Sequence, residues 1–385
     1  MATLLKMTKF EHPFEITTGL VAAQDLQENQ LFIISDSGLE EIVKNELLNS
    51  LQKNGCNNPH ITKKPFGYGG QLWITTPKNI PLYRLAIQLR SIHFALVPIH
   101  YFDIQNKNPL SQIENEVGKI SFPILEQARS FRITTQRTGK HNFKSMDVER
   151  RAGAAIWRKY NTSVDLKNPE VDIHVNIFED VCFLGIPLHK KSLSKRFQRQ
   201  FQPRIAIKAS IAYALLQSGK VEPSKDSAIL DPFCGSGTIL FEAAHYNSKI
   251  SLYGSDIDPY IVEGAQKNIK GLGLTKSIQI LQGDARELNT IFPQHFFDHI
   301  ITNPPYGLRF GNHLNFERFY VRILQQFYYR LRSQGTVVLM TLKWKDLNTA
   351  IRLTGFFEIL EKHRVDIGDV KPLIVSLRRK QRKNN

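Results

Sequence analysis

Four short apolar runs in the C-terminal half of the chain each stop on residues able to hold a small molecule, and this repetition constrains the fold most. The first run, Ala228-Ile229-Leu230, leads into Asp231-Pro232-Phe233-Cys234-Gly235-Ser236-Gly237-Thr238, with a helix starting at about Thr238. Gly235 and Gly237 remove the Cβ atoms that would hold a ligand off the backbone, and a helix N-terminus adds free N–H groups. Asp231, at the strand tip, suits a cationic or amino group. A second run, residues 251–255, ends in Asp256, which can accept both hydroxyls of a ribose. A third, 278–282, ends in Gly283-Asp284-Ala285, where Asp284 can accept from an adenine amino group. Strands alternating with helices make an open parallel sheet, and acidic residues at three successive strand ends fit an adenosine-containing ligand at its carboxyl edge. Any one of these aspartates could be a helix cap; three in register are a poor fit to capping alone. The loop lacks both the dinucleotide glycine spacing and a Gly-Lys-Ser/Thr triplet, which argues against pyrophosphate and triphosphate ligands.

The fourth run, 297–301, ends in Asn303-Pro304-Pro305-Tyr306-Gly307. An exocyclic amine on a base is a weak nucleophile because its lone pair is delocalised into the ring. An enzyme that alkylates it needs acceptors that draw the amine protons and free that pair. The Asn303 side-chain oxygen and the Pro304 carbonyl supply two acceptors, the prolines stiffen the loop, and the Tyr306 ring can stack on a base. Positioning and hydrogen-bond polarisation suffice, with no strong general base.

The first half reads differently. Residues 1–30 show no clear period and are expected to form a loosely held extension. Residues 31–105 then follow the order strand, helix, strand, strand, helix, strand of a ferredoxin-like unit, with Ser37 and Glu40 spaced as a capping box for the first helix. Residues 106–188 form a second α/β module, 189–208 a basic linker and 209–385 the parallel-sheet domain, closed by a hairpin from 356 to 377.

The formal charge of +16, from 51 Lys and Arg against 35 Asp and Glu, makes nucleic acid the leading partner. The lone cysteines Cys56, Cys182 and Cys234 match neither a disulfide framework nor a zinc site, so no metal is expected. Lys6, Lys9 and Glu11 interrupt the first thirty residues and no long apolar run occurs there, so neither signal peptide nor membrane anchor is expected and a cytoplasmic location is.

Asp231 to Thr238 together with Asn303 to Tyr306 resembles the class I S-adenosylmethionine-dependent methyltransferases that act on amino groups, a family including N6-adenine DNA and N2-guanine RNA enzymes. The resemblance implies a Rossmann-like domain that binds S-adenosyl-L-methionine through Asp231, Phe233, Cys234, Gly235, Ser236, Gly237, Thr238, Asp256, Asp284, Ala285 and Asn303. It also implies a catalytic loop of Asn303, Pro304, Pro305 and Tyr306. Upstream, Ser130-Phe131-Arg132, Gly139-Lys140-His141-Asn142-Phe143, Glu149-Arg150-Arg151-Ala152-Gly153 and Val164-Asp165-Leu166-Lys167-Asn168-Pro169 resemble the THUMP domain, an RNA-binding module. The implied fold class is α/β, a Rossmann-like class I methyltransferase domain preceded by ferredoxin-like and THUMP α+β domains.

Arg132, Arg137, Lys140, Lys144, Arg150 and Arg151, with Lys195, Arg196 and Arg199 of the linker, are the expected RNA contacts, able to follow phosphates without reading bases. The implied partner is structured RNA, tRNA ahead of ribosomal RNA, with no membrane and no obligate protein partner. Among THUMP methyltransferases the layout most resembles enzymes forming N2-methylguanosine in the tRNA acceptor stem (the position 6 type), followed by those acting on large-subunit ribosomal RNA. An N6-adenine DNA methyltransferase and an RNA assembly factor with an inactive methyltransferase fold are the rival readings. A nicotinamide or flavin oxidoreductase stands further off.

Overall fold

A computed structural model describes residues 28–105, 107–203, 206–222, 225–307, 314–368 and 370–381. The chain divides into two compact units. One takes residues up to Ile34, Leu47–Leu89 and His93–Ser192; the other takes Ser35–Glu46, Arg90–Ile92 and everything from Leu193. Most of the extension expected over residues 1–30 lies outside the described residues.

The first unit is built on one sheet. Strands β1 (Glu28–Ser35), β2 (His60–Lys63), β3 (Gln71–Pro77) and β4 (Ile92–Asp103) are joined through helices α1 (Glu40–Lys53) and α2 (Leu82–Ala86). Then come α3 (Pro109–Lys119), β5 (Ser130–Thr134), β6 (Arg137–Thr138), α4 (Ser145–Tyr160), β7 (Ser163–Val164), β8 (Val171–Phe178) and β9 (Val181–Pro187). The strand order is β2-β3-β1-β4-β9-β8-β5-β7, with β6 also on β8. The sheet therefore runs through the boundary expected between residues 105 and 106, because β4 pairs antiparallel with β9, Leu96 opposite Pro187 through Asp103 opposite Val181. The first-helix cap also differs. Ser37 forms a β-bridge with Asp366, and the Glu40 carboxylate takes the N–H of Gly38 at 3.1 Å. Gly38 is required there, since its φ is +96° and a Cβ would lie 2.1 Å from the Arg364 carbonyl oxygen.

The second unit continues with α5 (Ala209–Ser218), β10 (Ala228–Asp231), α6 (Thr238–Tyr246), β11 (Ser251–Asp256), α7 (Pro259–Gly271), β12 (Ile278–Gln282) and β13 (Phe297–Thr302). It ends with α8 (Phe316–Arg330), β14 (Leu331–Thr341), α9 (Trp344–Thr354), β15 (Phe357–Arg364) and β16 (Leu373–Arg379). The sheet order is β12-β11-β10-β13-β14-β16-β15; the first five strands are parallel, and β16 and β15 close the edge antiparallel, as the expected hairpin requires. Val337 to Met340 of β14 are wholly buried, the composition of a strand covered on both faces. Helix α8 buries Phe319, Tyr320, Ile323, Leu324 and Phe327, one face at helical period, in the core around β10, β13 and β14.

Candidate active site at the switch point of the parallel sheet

From β10 the chain builds the sheet outward through β11 and β12, then returns to place β13 on the other side of β10. Between β10 and β13 the connections leave in opposite directions, so a crevice opens at their carboxyl ends, the place where open α/β sheets hold ligands. Leu230 pairs with Ile300 across this line, which brings Asp231 beside Thr302. The Thr302 hydroxyl donates to Asp231 Oδ1 at 2.6 Å, and the Phe233 N–H donates to the same oxygen at 3.2 Å. The loop that starts at Asp231, expected to hold the cofactor, and the one that starts at Asn303, expected to receive the amine, therefore leave the sheet side by side.

Asp231 is buried, 1% exposed. Burial pushes its carboxyl up to about 7, against the lowering effect of the Thr302 and Phe233 hydrogen bonds and with help from the charge of Asp256. An ionised Asp231 in such a place is short of countercharge, which is what a ligand carrying a cationic amino group provides.

The loop between Asp231 and Thr238 is fixed at several points. Asp256 accepts the Gly235 N–H at 3.1 Å through one oxygen and the Asp258 N–H at 3.2 Å through the other. Each carboxylate oxygen keeps a second lone pair, so the ribose role expected of Asp256 stays open while the same group holds the loop. Burial raises its pKa, more than the two backbone hydrogen bonds lower it. Gly235 and Gly237 have φ of +53° and +92°, and a Cβ on Gly237 would lie 2.6 Å from the Phe241 ring. Cys234 is buried and its thiol is pushed well up by desolvation, so it packs the loop and offers no thiolate.

At the end of β12, Asp284 carries a partner that the sequence reading missed. Arg286 donates through Nη2 at 2.6 Å and through Nε at 2.9 Å to Asp284 Oδ2, and its own N–H reaches Oδ1 at 2.8 Å. Burial pushes this carboxyl up, but the hydrogen bonds and charge of Arg286 outweigh it and leave the group below its ordinary value. An adenine amino group would share Asp284 with that guanidinium. Next to Asp256, Ile257 and Tyr260 are 59% and 67% exposed. Apolar surface beside a ribose acceptor suits the face of a base; the only trace in the sequence is an isoleucine directly after the acidic strand end.

In the amine loop the Tyr306 hydroxyl donates to Asn303 Oδ1. Burial raises the Tyr306 pKa above its ordinary value, so the phenol stays protonated as the donor. The hydroxyl orients the Asn303 amide and leaves one lone pair of that oxygen for a substrate N–H, while the stacking expected of Tyr306 concerns its ring faces, which this bond does not engage. Pro304 is buried. Among the described residues no group of three His, Cys, Asp or Glu side chains could hold a metal.

The basic residues divide into two sets. Lys140, Lys144, Arg150 and Lys195 are exposed, and among the described residues none of their side chains forms an ion pair. Lys140 lines a recess of about 620 Å³ with Tyr68, Lys107, His141, Phe143 and Asp180. Others are committed to carboxylates: Arg132 to Asp172, and Arg151 to Glu114 at 3.0 Å. Arg196, expected at the RNA, turns inward. Its side chain is 14% exposed and lies 3.5 Å from the fully buried carboxylate of Glu242, which also receives Arg90 at 2.5 Å. A buried carboxylate without a partner is costly, and that is the physical reason for the difference. Arg199 donates to the Ile207 carbonyl at 3.4 Å, and Arg137 lies over the Phe143 ring at 5.6 Å. Among the described residues no helix is long and apolar enough to cross a membrane.

Residues 108–187 match the THUMP domain family and residues 196–372 the RMKL-like methyltransferase domain family. A tRNA (guanine(6)-N2)-methyltransferase of Thermus thermophilus is 35% identical over 297 residues, 76% of this chain and 85% of that protein. A protein of the same description from Methanocaldococcus jannaschii is 27% identical over 384 residues, 88% of this chain and 96% of its own length. The crystal structure of TrmN from Thermus thermophilus superposes with a TM-score of 0.73 at 30% identity, covering 91% of this chain and 99% of that one. The chain belongs to the THUMP-domain class I RNA methyltransferase family, whose cofactor is S-adenosyl-L-methionine.

Proposed function

We propose that this chain methylates N2 of a guanine in tRNA, in the acceptor stem at the position 6 type of site. The observation that carries the reading is the Thr302 to Asp231 hydrogen bond, which ties the roots of the cofactor and amine loops together across the switch point. The cofactor supplies an electrophilic methyl on a sulfonium. Asn303 Oδ1 and the Pro304 carbonyl accept hydrogen bonds from the two N–H groups of the guanine amine, and this turns its lone pair toward the cofactor loop. Tyr306 holds the Asn303 amide in place. The asparagine loop alone does not distinguish guanine N2 from adenine N6; the names of the relatives in Thermus and Methanocaldococcus favour guanine N2 in tRNA. A paired guanine would leave its stack to reach the loop, at a cost of roughly a few kcal/mol.

The proposed division of labour places the extension at 1–30, the ferredoxin-like unit at 31–105, the THUMP domain at 106–188, the basic linker at 189–208 and the methyltransferase domain at 209–385. Lys140, Lys144, Arg150 and Lys195 are the proposed phosphate contacts, since their charges are free. The test is incubation of the protein with labelled S-adenosylmethionine and total tRNA, followed by digestion to nucleosides. Label is expected in N2-methylguanosine; label confined to N6-methyladenosine, or to DNA offered in parallel, would overturn the proposal.

A further inference from the structure

Helix α7 carries a stripe that its role in the core does not explain. Residues 264, 268 and 271 stand at i, i+4 and i+7 and so share one face. They are Gly264, Asn268 and Gly271, two poor helix formers and a buried amide. All three meet the linker segment Gln200-Phe201. A Cβ on Gly264 would lie 2.3 Å from the Phe201 ring, and one on Gly271 would lie 3.0 Å from the Gln200 amide nitrogen. Between them Asn268, 1% exposed, pairs with both backbone groups of Phe201: its Oδ1 accepts the Phe201 N–H at 2.8 Å and its Nδ2 donates to the Phe201 carbonyl at 2.8 Å. The second Nδ2 hydrogen goes to the Ser236 carbonyl, at 3.2 Å, in the middle of the Gly235-Ser236-Gly237 turn.

We propose that Asn268 is a positioning residue for the cofactor loop, joining that loop to the linker at Phe201 through one side chain. The Ser236 carbonyl and the Gly237 N–H belong to one peptide plane. Asn268 pins the carbonyl, and the Cys234 carbonyl accepts the Gly237 N–H at 2.8 Å from the other side. With Gly235 N–H already on Asp256, the turn is held in one conformation before any ligand arrives, so less ordering remains to be done on binding. Only a primary amide meets all three partners, since an aspartate has no donors for the two carbonyls. The glycines at 264 and 271 let the linker come close enough for those bonds. The linker segment around Phe201 is thereby part of the cofactor site's framework, although it precedes the first strand of the parallel sheet.

This inference rests on the reading that the Asp231 to Thr238 loop holds the cofactor. The test is calorimetric titration of S-adenosylhomocysteine into the full chain, beside methylation kinetics with tRNA in which each substrate is varied separately. Asn268→Ala is expected to weaken S-adenosylhomocysteine binding at least tenfold and to raise KM for S-adenosylmethionine while leaving KM for tRNA within twofold. Gly264→Ala keeps the amide and displaces Phe201 with one methyl group, and it is expected to move the same constants in the same direction. If the two variants bind S-adenosylhomocysteine within twofold of the unaltered protein, or lose affinity for both substrates equally, the positioning role is overturned. If the unaltered protein does not bind S-adenosylhomocysteine at all, the reading of the loop fails instead.

Discussion

Replacing Asp231 with asparagine should separate what this residue does for stability from what it does for the cofactor. The carboxyl is 1% exposed and burial raises its pKa from 3.8 to about 7. The unfolded chain ionises this group near 3.8 and the folded chain near 7, so folding favours the protonated form. The stability that follows is fully present below about pH 4 and is lost as pH rises through about 7. Between pH 5 and pH 8 the loss amounts to about 2.5 kcal/mol, from 1.36 kcal/mol per pKa unit and the populations at the two pH values. Asparagine keeps an oxygen for the Thr302 hydroxyl and the Phe233 N–H but does not titrate. Denaturant unfolding of both proteins at pH 5, 6, 7 and 8 should therefore show Asp231→Asn gaining on the unaltered protein by about 2.5 kcal/mol across the series, whatever its constant offset. Groups that do not interact with Asp231 cancel in the difference; Asp256 and Cys234 carry charges that act on or respond to that of Asp231, and of these Cys234 is pushed well up and stays a thiol throughout the series. The same variant should bind S-adenosylhomocysteine weakly at every pH. A stability difference that stays flat from pH 5 to pH 8 would refute the argument that a buried, near-neutral carboxyl waits at the head of the cofactor loop.

Asn303→Ala should lower kcat by about 10²- to 10³-fold in single-turnover methylation of tRNA, the usual effect of removing one polarising group; a loss under about tenfold would remove the Asn303 amide from the polarising pair. Joint replacement of Lys140, Lys144 and Arg150 by alanine should weaken tRNA binding and reduce the slope of log K against log salt by about 2 to 3, roughly one per lost phosphate contact; an unchanged slope would remove these residues from the interface. Arg196→Ala should act on stability, costing roughly 2–4 kcal/mol in unfolding experiments because Glu242 is left with Arg90 alone, and should leave the salt slope of tRNA binding unaltered.

The parts of the molecule visible in the sequence are those set by neighbours in the chain. The strand ends at Asp231, Asp256, Asp284 and Asn303 were readable because an apolar run, a turn residue and a helix start follow one another within a few positions. The closing hairpin and the βαββαβ order of the first module were readable for the same reason. What escaped depends on residues far apart. The β4 to β9 pairing that fuses the first two modules into one sheet joins segments some eighty residues apart, and alternation within a strand does not say which strand lies beside it. Arg196 looked like one more linker cation until Glu242, on α6, is found buried against it. The cap expected at Ser37 gives way to a β-bridge between Ser37 and Asp366, a pairing of positions far apart in the chain. Asn268 carried no mark at all, since a helical asparagine reads as a surface residue until its three partners are seen.

The site's protonation states bear on how the amine is activated. Cys234 and Tyr306 are both held above their ordinary pKa by burial, so near neutrality neither is an anion that could take a proton from the base. Among the described residues, Asp231 is the one group at the junction of the two loops whose carboxyl is pushed up to about 7, and its oxygen is occupied by Thr302 and Phe233. On the proposed reading, activation of the amine then falls to neutral acceptors, Asn303 and the Pro304 carbonyl, whose effect does not vary with pH. The pH dependence of kcat/KM for S-adenosylmethionine should accordingly show a single ascending limb below about pH 7, from ionisation of Asp231, and a plateau through about pH 8.5. A second ascending limb within that plateau would mean that a titrating base removes the amine proton in the rate-limiting step, and the neutral-acceptor mechanism would have to be abandoned. In Asp231→Asn the limb should vanish while a low, level activity remains, because the acceptors on β13's loop are untouched by the change.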